Sequence, residues 1–264
     1  RTAAPEVMTG NLTVASMNLL NLFNGDGQGG GFPTSRGASN LAEYERQIAK
    51  TVAGIIAMDA DIIGLMEIEN DGVDANSTLV DLVSRLNAVA GDNSYAFVNT
   101  GNALGTDEIA VALLYKPGTV TAADAPMINN DSIFNRPPLA QTFSLNENGE
   151  QITIVANHFK AKLCSYAADL DKDQGDGQSC YNNKRQLQAQ ALIDWISSDS
   201  ELSKHKDVLV MGDLNAYAME DPIVKFTDQG YTNLIKHFNG TYAYSYSYGG
   251  EVCYLDHALA SKPL

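Results

Sequence analysis

Short apolar runs that end in polar residues are the feature that most constrains this chain. The clearest run, residues 207–210, continues directly into the sequence MGDLNAY at residues 211–217. A short apolar run with polar boundaries is typical of a buried strand. Because side chains alternate along a strand, Asp213 and Asn215 should point the same way at its C-terminal tip. Two interpretations stay open: an Asp-x-Asn turn that binds its own backbone, and a phosphate site with an activated water.

Four other predicted strands end in, or just past, polar side chains. These residues are Asn18, Glu67, the pair Asn157 and His158, and the pair Asp256 and His257. Each of them alone is more typical of a cap or a turn. Strand ends that meet at one edge of a sheet, however, build binding and catalytic sites. The sequence therefore predicts one shared site.

The chemistry of these side chains suggests phosphodiester hydrolysis. Asn18 and Glu67 offer hard oxygen ligands, which suit Mg²⁺, Mn²⁺ or Ca²⁺ better than zinc. Such a cation would polarise the phosphoryl group and stabilise the leaving oxygen. We expect His158 to donate to a non-bridging oxygen, Asp213 to hold or deprotonate the water, and Asn215 to fix the orientation of both.

The periodicity of apolar residues predicts helices at 41–58, 78–90 and 184–196, and the third helix should turn Leu187 and Trp195 inward. Predicted strands outnumber helices, and hairpins mix with crossovers. This pattern favours an α/β sandwich with mixed sheets over a doubly wound parallel sheet. No repeat or linker divides the chain, so we expect one domain over residues 1–264. Near the C-terminus, Tyr242, Tyr244, Tyr246 and Tyr248 alternate, and we expect them to pack against a neighbouring sheet rather than to stack on bases.

The charge balance argues against a polyanionic partner unless cations intervene. The 264 residues carry a net charge of −15, and unscreened repulsion opposes the approach of nucleic acid. The protein can still bind phosphate if its acids hold divalent cations and its few basic residues are grouped. A surface adapted to salty water is the alternative. No apolar run reaches the length of a membrane span, so no membrane partner is expected.

The cysteines predict an oxidising environment. Cys164 and Cys180 bracket a polar stretch rich in Asp and Gly, which is typical of a disulfide-closed surface loop. A disulfide of this kind implies an oxidising compartment. Three reduced thiols are the alternative, and Cys253 is either free or paired outside this chain. The chain begins with Arg and shows no leader, so we expect a mature form or an excised domain.

Five motifs resemble those of a known superfamily. The chain contains, in order, MNLLNLF, GLMEIEN, ANHFKAK, GDLNAY and YLDHALAS. This series is similar to the endonuclease/exonuclease/phosphatase superfamily. The segment FNRPPLAQTF and the Cys/Gly/Asp loop before NNKRQLQAQAL resemble secreted bacterial extracellular nucleases in particular. The resemblance covers nearly the whole chain, and it implies a four-layer α/β sandwich with two mixed sheets and divalent-metal-dependent cleavage of DNA.

The resemblance also implies roles for single residues. Asn18 and Glu67 match metal-site residues, and the catalytic matches are His158, Asp213, Asn215 and Asp256. Arg136 resembles an arginine that reaches the nucleic-acid backbone, and Lys160 and Arg185 are weaker candidates for the same contact.

One departure from the family pattern concerns the C-terminus. The family normally ends with a Ser-Asp-His strand that supplies a second catalytic histidine, and residues 1–264 do not contain it. Asp256 resembles the aspartate that orients this histidine, so we expect it to support catalysis. His257 points to the opposite face of its strand and is expected to be structural. A domain without the Ser-Asp-His strand should be an impaired enzyme.

Together these features predict a secreted, Mg²⁺- or Mn²⁺-dependent endonuclease, with Ca²⁺ as an optional further cation. Its expected substrate is extracellular DNA, with RNA as an option, and its expected products carry 5′-phosphate ends. A phosphatase or lipid phosphodiesterase of the same fold, or a catalytically silent DNA-binding module, are the alternatives. We expect a monomer with no protein partner.

Overall fold

Two stacked β-sheets form the centre of the molecule. A computed structural model describes residues 10–262. The first sheet has four strands in the order β1-β2-β4-β3. They are β1 (Val14–Leu22), β2 (Ile62–Glu69), β3 (Ala96–Phe97) and β4 (Ile109–Tyr115). Since β1 runs parallel to β2 whereas β4 is antiparallel to β2 and β3, this sheet is mixed.

The second sheet has seven strands and is also mixed. Its strands are β5 (Val120–Ala122), β6 (Met127–Ile128), β7 (Leu139–Leu145), β8 (Gln151–His158), β9 (Val208–Asp213), β10 (Thr232–Asn233) and, after the two strands of a separate hairpin, β13 (Asp256–Ala260). The order is β10-β13-β9-β8-β7-β5, with β6 paired to β7. Only β8 and β9 are parallel among the pairs of this sheet within residues 10–262. The separate hairpin consists of β11 (Tyr246–Tyr248) and β12 (Glu251–Cys253).

Helices cover the outer faces of both sheets. They are α1 (Leu41–Met58), α2 (Thr78–Ala90), α3 (Asn182–Ser198) and α4 (Asp221–Asp228), whereas α5 (Leu234–Asn239), which follows β10, has no buried residues. One apolar core joins α1, α2 and the facing surfaces of the two sheets. A second core joins the other face of the seven-stranded sheet to α3 and α4. The chain therefore folds as helices, sheet, sheet and helices, and the predicted four-layer α/β sandwich is confirmed.

Close contact between the sheets depends on small and flexible residues. A Cβ atom at Gly64 of β2 would lie 3.1 Å from the Cε atom of Met211 in β9, so glycine leaves room for this methionine. Further along the second sheet, on β7, Phe143 is fully buried and its ring lies 5.4 Å from that of Tyr115 on β4. Burial of such apolar side chains contributes about 1.5–3 kcal/mol each, and it fixes the separation of the two sheets.

The prediction for the inner face of α3 is wrong in part. Leu187 is 49% exposed and Trp195 is only partly buried, whereas Arg185 and Gln188 are completely buried. Gln188 accepts a hydrogen bond from the backbone N–H of Lys160. The inner face of this helix therefore carries polar side chains that serve neighbouring loops, and apolar periodicity alone cannot identify such a face.

The tyrosine-rich segment also differs from its prediction. Only Tyr246–Tyr248 is a strand, and it belongs to the two-stranded hairpin. Tyr242, at 93% exposure, and Tyr248, at 71%, do not pack against either main sheet. The alternation that indicated a packed strand reflects an exposed hairpin instead. Within residues 10–262, no helix is long and apolar enough to cross a bilayer.

Replacement of Phe143 by Ala should lower the free energy of unfolding by about 3–5 kcal/mol, because it removes a large ring from the core between the sheets. Urea denaturation measures this change. Leu170→Ala is the control, since that side chain is 68% exposed and its loss should change stability by less than about 0.5 kcal/mol. Equal effects of the two substitutions would contradict the packing described here.

Candidate active site

The candidate site is built around Glu67, near the end of β2. The register of β2 against β4 shifts between Met66 and Ile68, and Glu67 has a φ of 61°. Irregularities of this kind turn a side chain away from the regular alternation and are common next to active sites. A non-glycine residue in this backbone region costs free energy, which the surrounding contacts must offset. Glu67 thus owes its position to a local departure from ideal strand geometry.

Asn18 connects this carboxylate to the second sheet. Its Nδ2 atom donates to Glu67 Oε1 at 3.0 Å and to Asp213 Oδ2 at 3.2 Å. Its Oδ1 atom accepts from the backbone N–H of Leu20 at 2.9 Å. The other oxygen of Glu67 accepts from the backbone N–H of Asn21 at 3.1 Å. One amide therefore bridges carboxylates from two different sheets, while the backbone of β1 holds both the amide and Glu67.

Three adjacent strands supply the rest of the site. Asp213 is in register with His158 on the parallel neighbour β8 and with Asp256 on the antiparallel neighbour β13. The Nε2 atom of His158 lies 3.9 Å from both Glu67 Oε1 and Asp213 Oδ2. The predicted catalytic and metal residues Asn18, Glu67, His158 and Asp213 thus converge on one edge of the sandwich.

Asn215 completes the turn after β9. Its backbone N–H donates to Asp213 Oδ1 at 2.9 Å, and its Nδ2 atom donates to the carbonyl of Phe159 at 3.2 Å. The Asp-x-Asn turn is therefore present, but it does not replace the site interpretation. The turn occupies one oxygen of Asp213 and leaves the other, Oδ2, beside Asn18 and His158.

Burial shifts the pKa values of the site in opposite directions. It raises the pKa of Asp213, while the backbone N–H of Asn215 opposes this rise. Burial, reinforced by the charges of Asp213 and Glu67, raises the pKa of Asp256 to about 7. Burial lowers the pKa of His158 well below 6.5, and the charge of Arg136 adds to this. At neutral pH, His158 is therefore a neutral imidazole beside carboxylates that repel one another.

The donors present fit a hard divalent cation. Within residues 10–262, no three or more His, Cys, Asp or Glu side chains are grouped as metal ligands. Mg²⁺ nevertheless needs only one or two protein carboxylates, because water and substrate phosphate complete its shell. Glu67 would hold such an ion, with Asp213 close by. The buried Asp256 Oδ1 atom has no hydrogen-bond partner, and neither does His158 Nδ1. Asn18 orients the two carboxylates in this arrangement, and its direct ligation of a metal stays a prediction.

Arg136 does not reach outward as predicted. Its guanidinium group donates to the carbonyls of His158 at 3.2 Å and Phe159 at 2.6 Å, and it lies 3.3 Å from Asp107. Only 7% of the residue is exposed. Arg136 therefore fixes the backbone that follows β8, and a direct contact with a nucleic-acid backbone is not supported by this geometry. Nothing in the sequence identifies Asp107, a half-buried carboxylate in a loop, as the partner of Arg136.

The prediction of Arg185 as a substrate ligand is wrong. Arg185 is completely buried, and it donates to the carbonyls of Cys180 at 2.8 Å and Gln178 at 2.9 Å. Its charge stabilises a loop and cannot meet a substrate. Lys160 is partly exposed, with its Nζ atom 4.5 Å from the centre of the Tyr181 ring. It remains the candidate for a phosphate contact.

The cysteine prediction is confirmed for the loop. Cys164 and Cys180, 16 residues apart, form a disulfide, and the partly buried Cys253 is a free thiol. The loop closed by this disulfide precedes α3 and packs on Arg185.

His257 is buried, with its Nε2 atom 2.7 Å from the carbonyl of Ala216. It faces away from Asp256, as strand alternation predicts.

The fold and the site together define a hydrolase class in which two stacked mixed sheets bring acidic and imidazole groups to one edge. Residues 18–264 match the model of the Endonuclease/Exonuclease/phosphatase family. The chain belongs to this family, whose members hydrolyse phosphodiesters and phosphate monoesters and generally use divalent metals such as Mg²⁺. No curated protein matches the sequence.

Several solved structures share the fold. The human Nocturnin catalytic domain with bound sulfate is 20% identical, with a TM-score of 0.56 over 82% of this chain and 75% of that one. TDP2 from D. rerio, in complex with a single-stranded DNA product, is 14% identical, with a TM-score of 0.55 over 95% and 83% of the two chains. A mannosyl-6-phosphatase from Bacteroides thetaiotaomicron is 13% identical, with a TM-score of 0.56 over 96% and 86%. At these identities the likeness shows the fold alone.

The raised pKa of Asp256 has a measurable consequence for stability. Its folded pKa of about 7 exceeds the ordinary value of 3.8, so between these values the folded protein binds more protons than the unfolded one. This carboxyl group therefore destabilises the folded state progressively as the pH rises from about 4 to about 7. Replacement of Asp256 by Asn should remove this slope.

Urea denaturation of both proteins with EDTA, from pH 5 to pH 8, measures the difference. The stability of Asp256→Asn relative to the unchanged protein should increase across this range. His158 and His257, whose pKa values are lowered, contribute the opposite slope to both proteins and so cancel in the comparison. A constant difference across the range would refute the shift.

Proposed function

We propose that the protein is a divalent-metal-dependent nuclease that hydrolyses phosphodiester bonds of DNA. The observation that carries this proposal is the bridge of Asn18 Nδ2 to Glu67 and Asp213, with His158 Nε2 3.9 Å from both carboxylates. At these distances the two carboxylates can bind a cation and a water, and the neutral imidazole can donate to a phosphoryl oxygen beside them. Preorganised groups of this kind lower the barrier because they need no rearrangement during the reaction.

The residues divide the reaction between them. Asp213, whose pKa is raised by burial, accepts a proton from the attacking water through Oδ2, while Asn215 holds Oδ1. The neutral His158 donates its Nε2 hydrogen to a non-bridging phosphoryl oxygen. A divalent cation, which Glu67 would hold with Asp213 close by, would supply polarisation of the phosphoryl group and stabilisation of the leaving oxygen. Attack of water on phosphorus breaks the bond to the 3′ oxygen, which takes up a proton from the solvent, and leaves a 5′-phosphate on one product and a 3′-hydroxyl on the other.

Several features support DNA as the substrate. Motifs of this chain resemble those of extracellular nucleases, and one structure of the same fold contains a single-stranded DNA product. The partly exposed Lys160 offers positive charge on a chain with a net charge of −15. Stacked rings of Tyr246 and Tyr248, with centres 6.4 Å apart, project from the hairpin that directly precedes β13. Exposed aromatic rings are surfaces on which bases can stack.

The disulfide supports a secreted location. Bonds of this kind persist in oxidising compartments and are rare where cellular reductants keep thiols reduced. The Cys164–Cys180 disulfide closes a surface loop, and most residues of this loop are exposed. We therefore propose that the enzyme acts outside the cytoplasm, on extracellular DNA.

A phosphomonoesterase is the second candidate, because a mannosyl-6-phosphatase has the same fold. Parallel assays of the complete protein on plasmid DNA, on short RNA and on mannose 6-phosphate separate the candidates. The nuclease proposal predicts turnover of DNA with 5′-phosphate products and little release of inorganic phosphate from the sugar. DNA binding without turnover would instead identify a catalytically silent binding module.

His158→Ala and Asp213→Asn should each lower the rate of plasmid cleavage about 10²–10⁴-fold, because each removes a group that contacts the reacting atoms. Cleavage of supercoiled plasmid with Mg²⁺ by the complete protein measures the rate. His237→Ala, at an exposed position on α5, is the matched control and should retain full activity. Removal of metal by EDTA should abolish cleavage, and added Mg²⁺ should restore it. Near-normal activity in both site variants would reject the mechanism.

A further inference from the structure

A second acidic cluster lies beside the start of α2, distinct from the catalytic carboxylates. It consists of Glu69 at the end of β2, Asp71 in the following loop, Thr78 at the start of α2, and Asn24 after β1. Glu69 Oε2 accepts from Thr78 Oγ1 at 2.7 Å and from the backbone N–H of Asn24 at 3.0 Å. Asp71 Oδ2 accepts from the backbone N–H of Thr78 at 2.8 Å and lies 3.2 Å from Thr78 Oγ1.

The hydrogen bonds in this cluster do not satisfy its oxygen atoms. The Thr78 hydroxyl has a single hydrogen, so it can donate to either Glu69 or Asp71 but not to both. Asp71 Oδ1 and Asn24 Oδ1 are buried and have no hydrogen-bond partner. Buried acceptors that stay unpaired destabilise the folded state, because they have lost water without gaining a donor. The cluster therefore lacks one donor or one positive charge.

Asn24 is bound to the cluster through both its backbone N–H and its side-chain amide. It is only 3% exposed, and its backbone N–H binds Glu69 and lies 3.2 Å from Thr78 Oγ1. Its Nδ2 atom donates to the carbonyl of Asn76 at 2.8 Å, in the loop that contains Asp71. These bonds hold Asn24 between Glu69 and the loop that contains Asp71, and its Oδ1 atom is buried there without a hydrogen-bond partner. A neutral amide oxygen is a regular cation ligand beside carboxylates.

No side chain in the described part of the chain compensates the negative charge. None of the ion pairs within residues 10–262 includes Glu69 or Asp71. Burial and the nearby charge of Glu69 raise the pKa of Asp71 to about 6, against the hydrogen bonds from Thr78. Above that pH, two half-buried carboxylates repel each other without a counterion.

We propose that Asn24, Glu69 and Asp71 form a second divalent-cation site whose chemistry suits Ca²⁺. Ca²⁺ takes six to eight oxygen ligands from carboxylates, amide carbonyls and water in flexible geometry, whereas Mg²⁺ demands a near-ideal octahedron. The catalytic site is distinct, because the Glu67 carboxylate binds Asn18 and Asn21 whereas the Glu69 carboxylate binds Asn24 and Thr78.

The site would join two loops that flank the end of β2. A Cβ atom at Gly27 would lie 2.1 Å from the carbonyl oxygen of Asn76, so the loop after β1 and the loop before α2 are in direct contact. Both loops adjoin strands that carry catalytic residues, Asn18 on β1 and Glu67 on β2. A cation held by Asn24 and Asp71 connects these loops and so stabilises the ends of both strands. This role is independent of the substrate on which the enzyme acts.

Calcium binding by the complete, chelator-treated protein tests the proposal at pH 7.5, where a shared proton cannot replace the cation. Titration calorimetry with CaCl₂ alone measures affinity, and thermal unfolding with and without CaCl₂ measures stabilisation. At a Ca²⁺ concentration of about 100 times Kd, Tm should rise by about 5 °C or more. Asp71→Asn should weaken binding about tenfold or more, and at the same Ca²⁺ concentration it should therefore reduce the rise in Tm by about half or more. Glu67→Gln, the control at the catalytic site, should retain both.

Each other outcome decides against the proposal. Unchanged Ca²⁺ binding by Asp71→Asn would overturn it, and loss of binding by Glu67→Gln alone would assign the ion to the catalytic carboxylates. Absence of binding by the unchanged protein at pH 7.5 would show that the pair shares a proton instead.

Asp71→Asn removes a repulsive charge, so without Ca²⁺ its Tm should equal or exceed that of the unchanged protein. Asn24→Ala is the second variant, and it should weaken binding while leaving both carboxylates in place.

Discussion

Repulsion between carboxylates is the constraint on which this molecule depends. Glu67, Asp213 and Asp256 converge at one edge of the sandwich, and burial makes their mutual repulsion stronger than it would be in water. Neutral amide groups, chiefly the Asn18 side chain and the backbone N–H groups of Asn21 and Asn215, hold two of these carboxylates. Amide donors fix the positions of the oxygen atoms without neutralising them. The negative charge therefore remains available to a divalent cation.

Burial of apolar side chains in the two cores offsets the free-energy cost of holding these carboxylates together. The site residues come from both sheets, so its geometry is only as accurate as the contact between the sheets. Gly64 and Met211 set that contact next to the site strands, and Phe143 fills the space further along. Arg136 has a related role, because it ties the backbone after β8 through two carbonyls. The buried Arg136 thus acts on the position of the strand end that carries His158.

Much of the fold followed from the sequence. Helices α1 and α2 and the strands that carry Asn18, Glu67, His158 and Asp213 were predicted because their apolar periods are regular, although β1 continues to Leu22 and β2 to Glu69. The sharing of one site by strand ends was predictable for the same reason, since register places neighbouring strand ends together. The inner face of α3 was not, because Arg185 and Gln188 occupy it and bind backbone groups of loops. A polar residue buried for such a contact has the same local sequence pattern as an exposed one.

Other features depended on backbone conformation or on distant contacts. The φ of 61° at Glu67 has no sequence signal, because this region is usually occupied by glycine or asparagine. The partners of Arg136 lie 22, 23 and 29 residues away along the chain, and nothing in local composition identifies them. The exposed tyrosine hairpin was misassigned because alternation shows that residues share a face, but it does not show whether another layer covers that face.

The register of three strands has a consequence for how this chain can change over evolution. His158, Asp213 and Asp256 occupy matching positions on β8, β9 and β13. Insertions in the loops between these strands leave the matching positions intact, so the connecting segments can lengthen freely. A deletion of one residue within β9 instead transfers Asp213 to the opposite face and separates it from both neighbours. Length variation among descendants of this sequence should therefore concentrate in the connections and be nearly absent within the three strands.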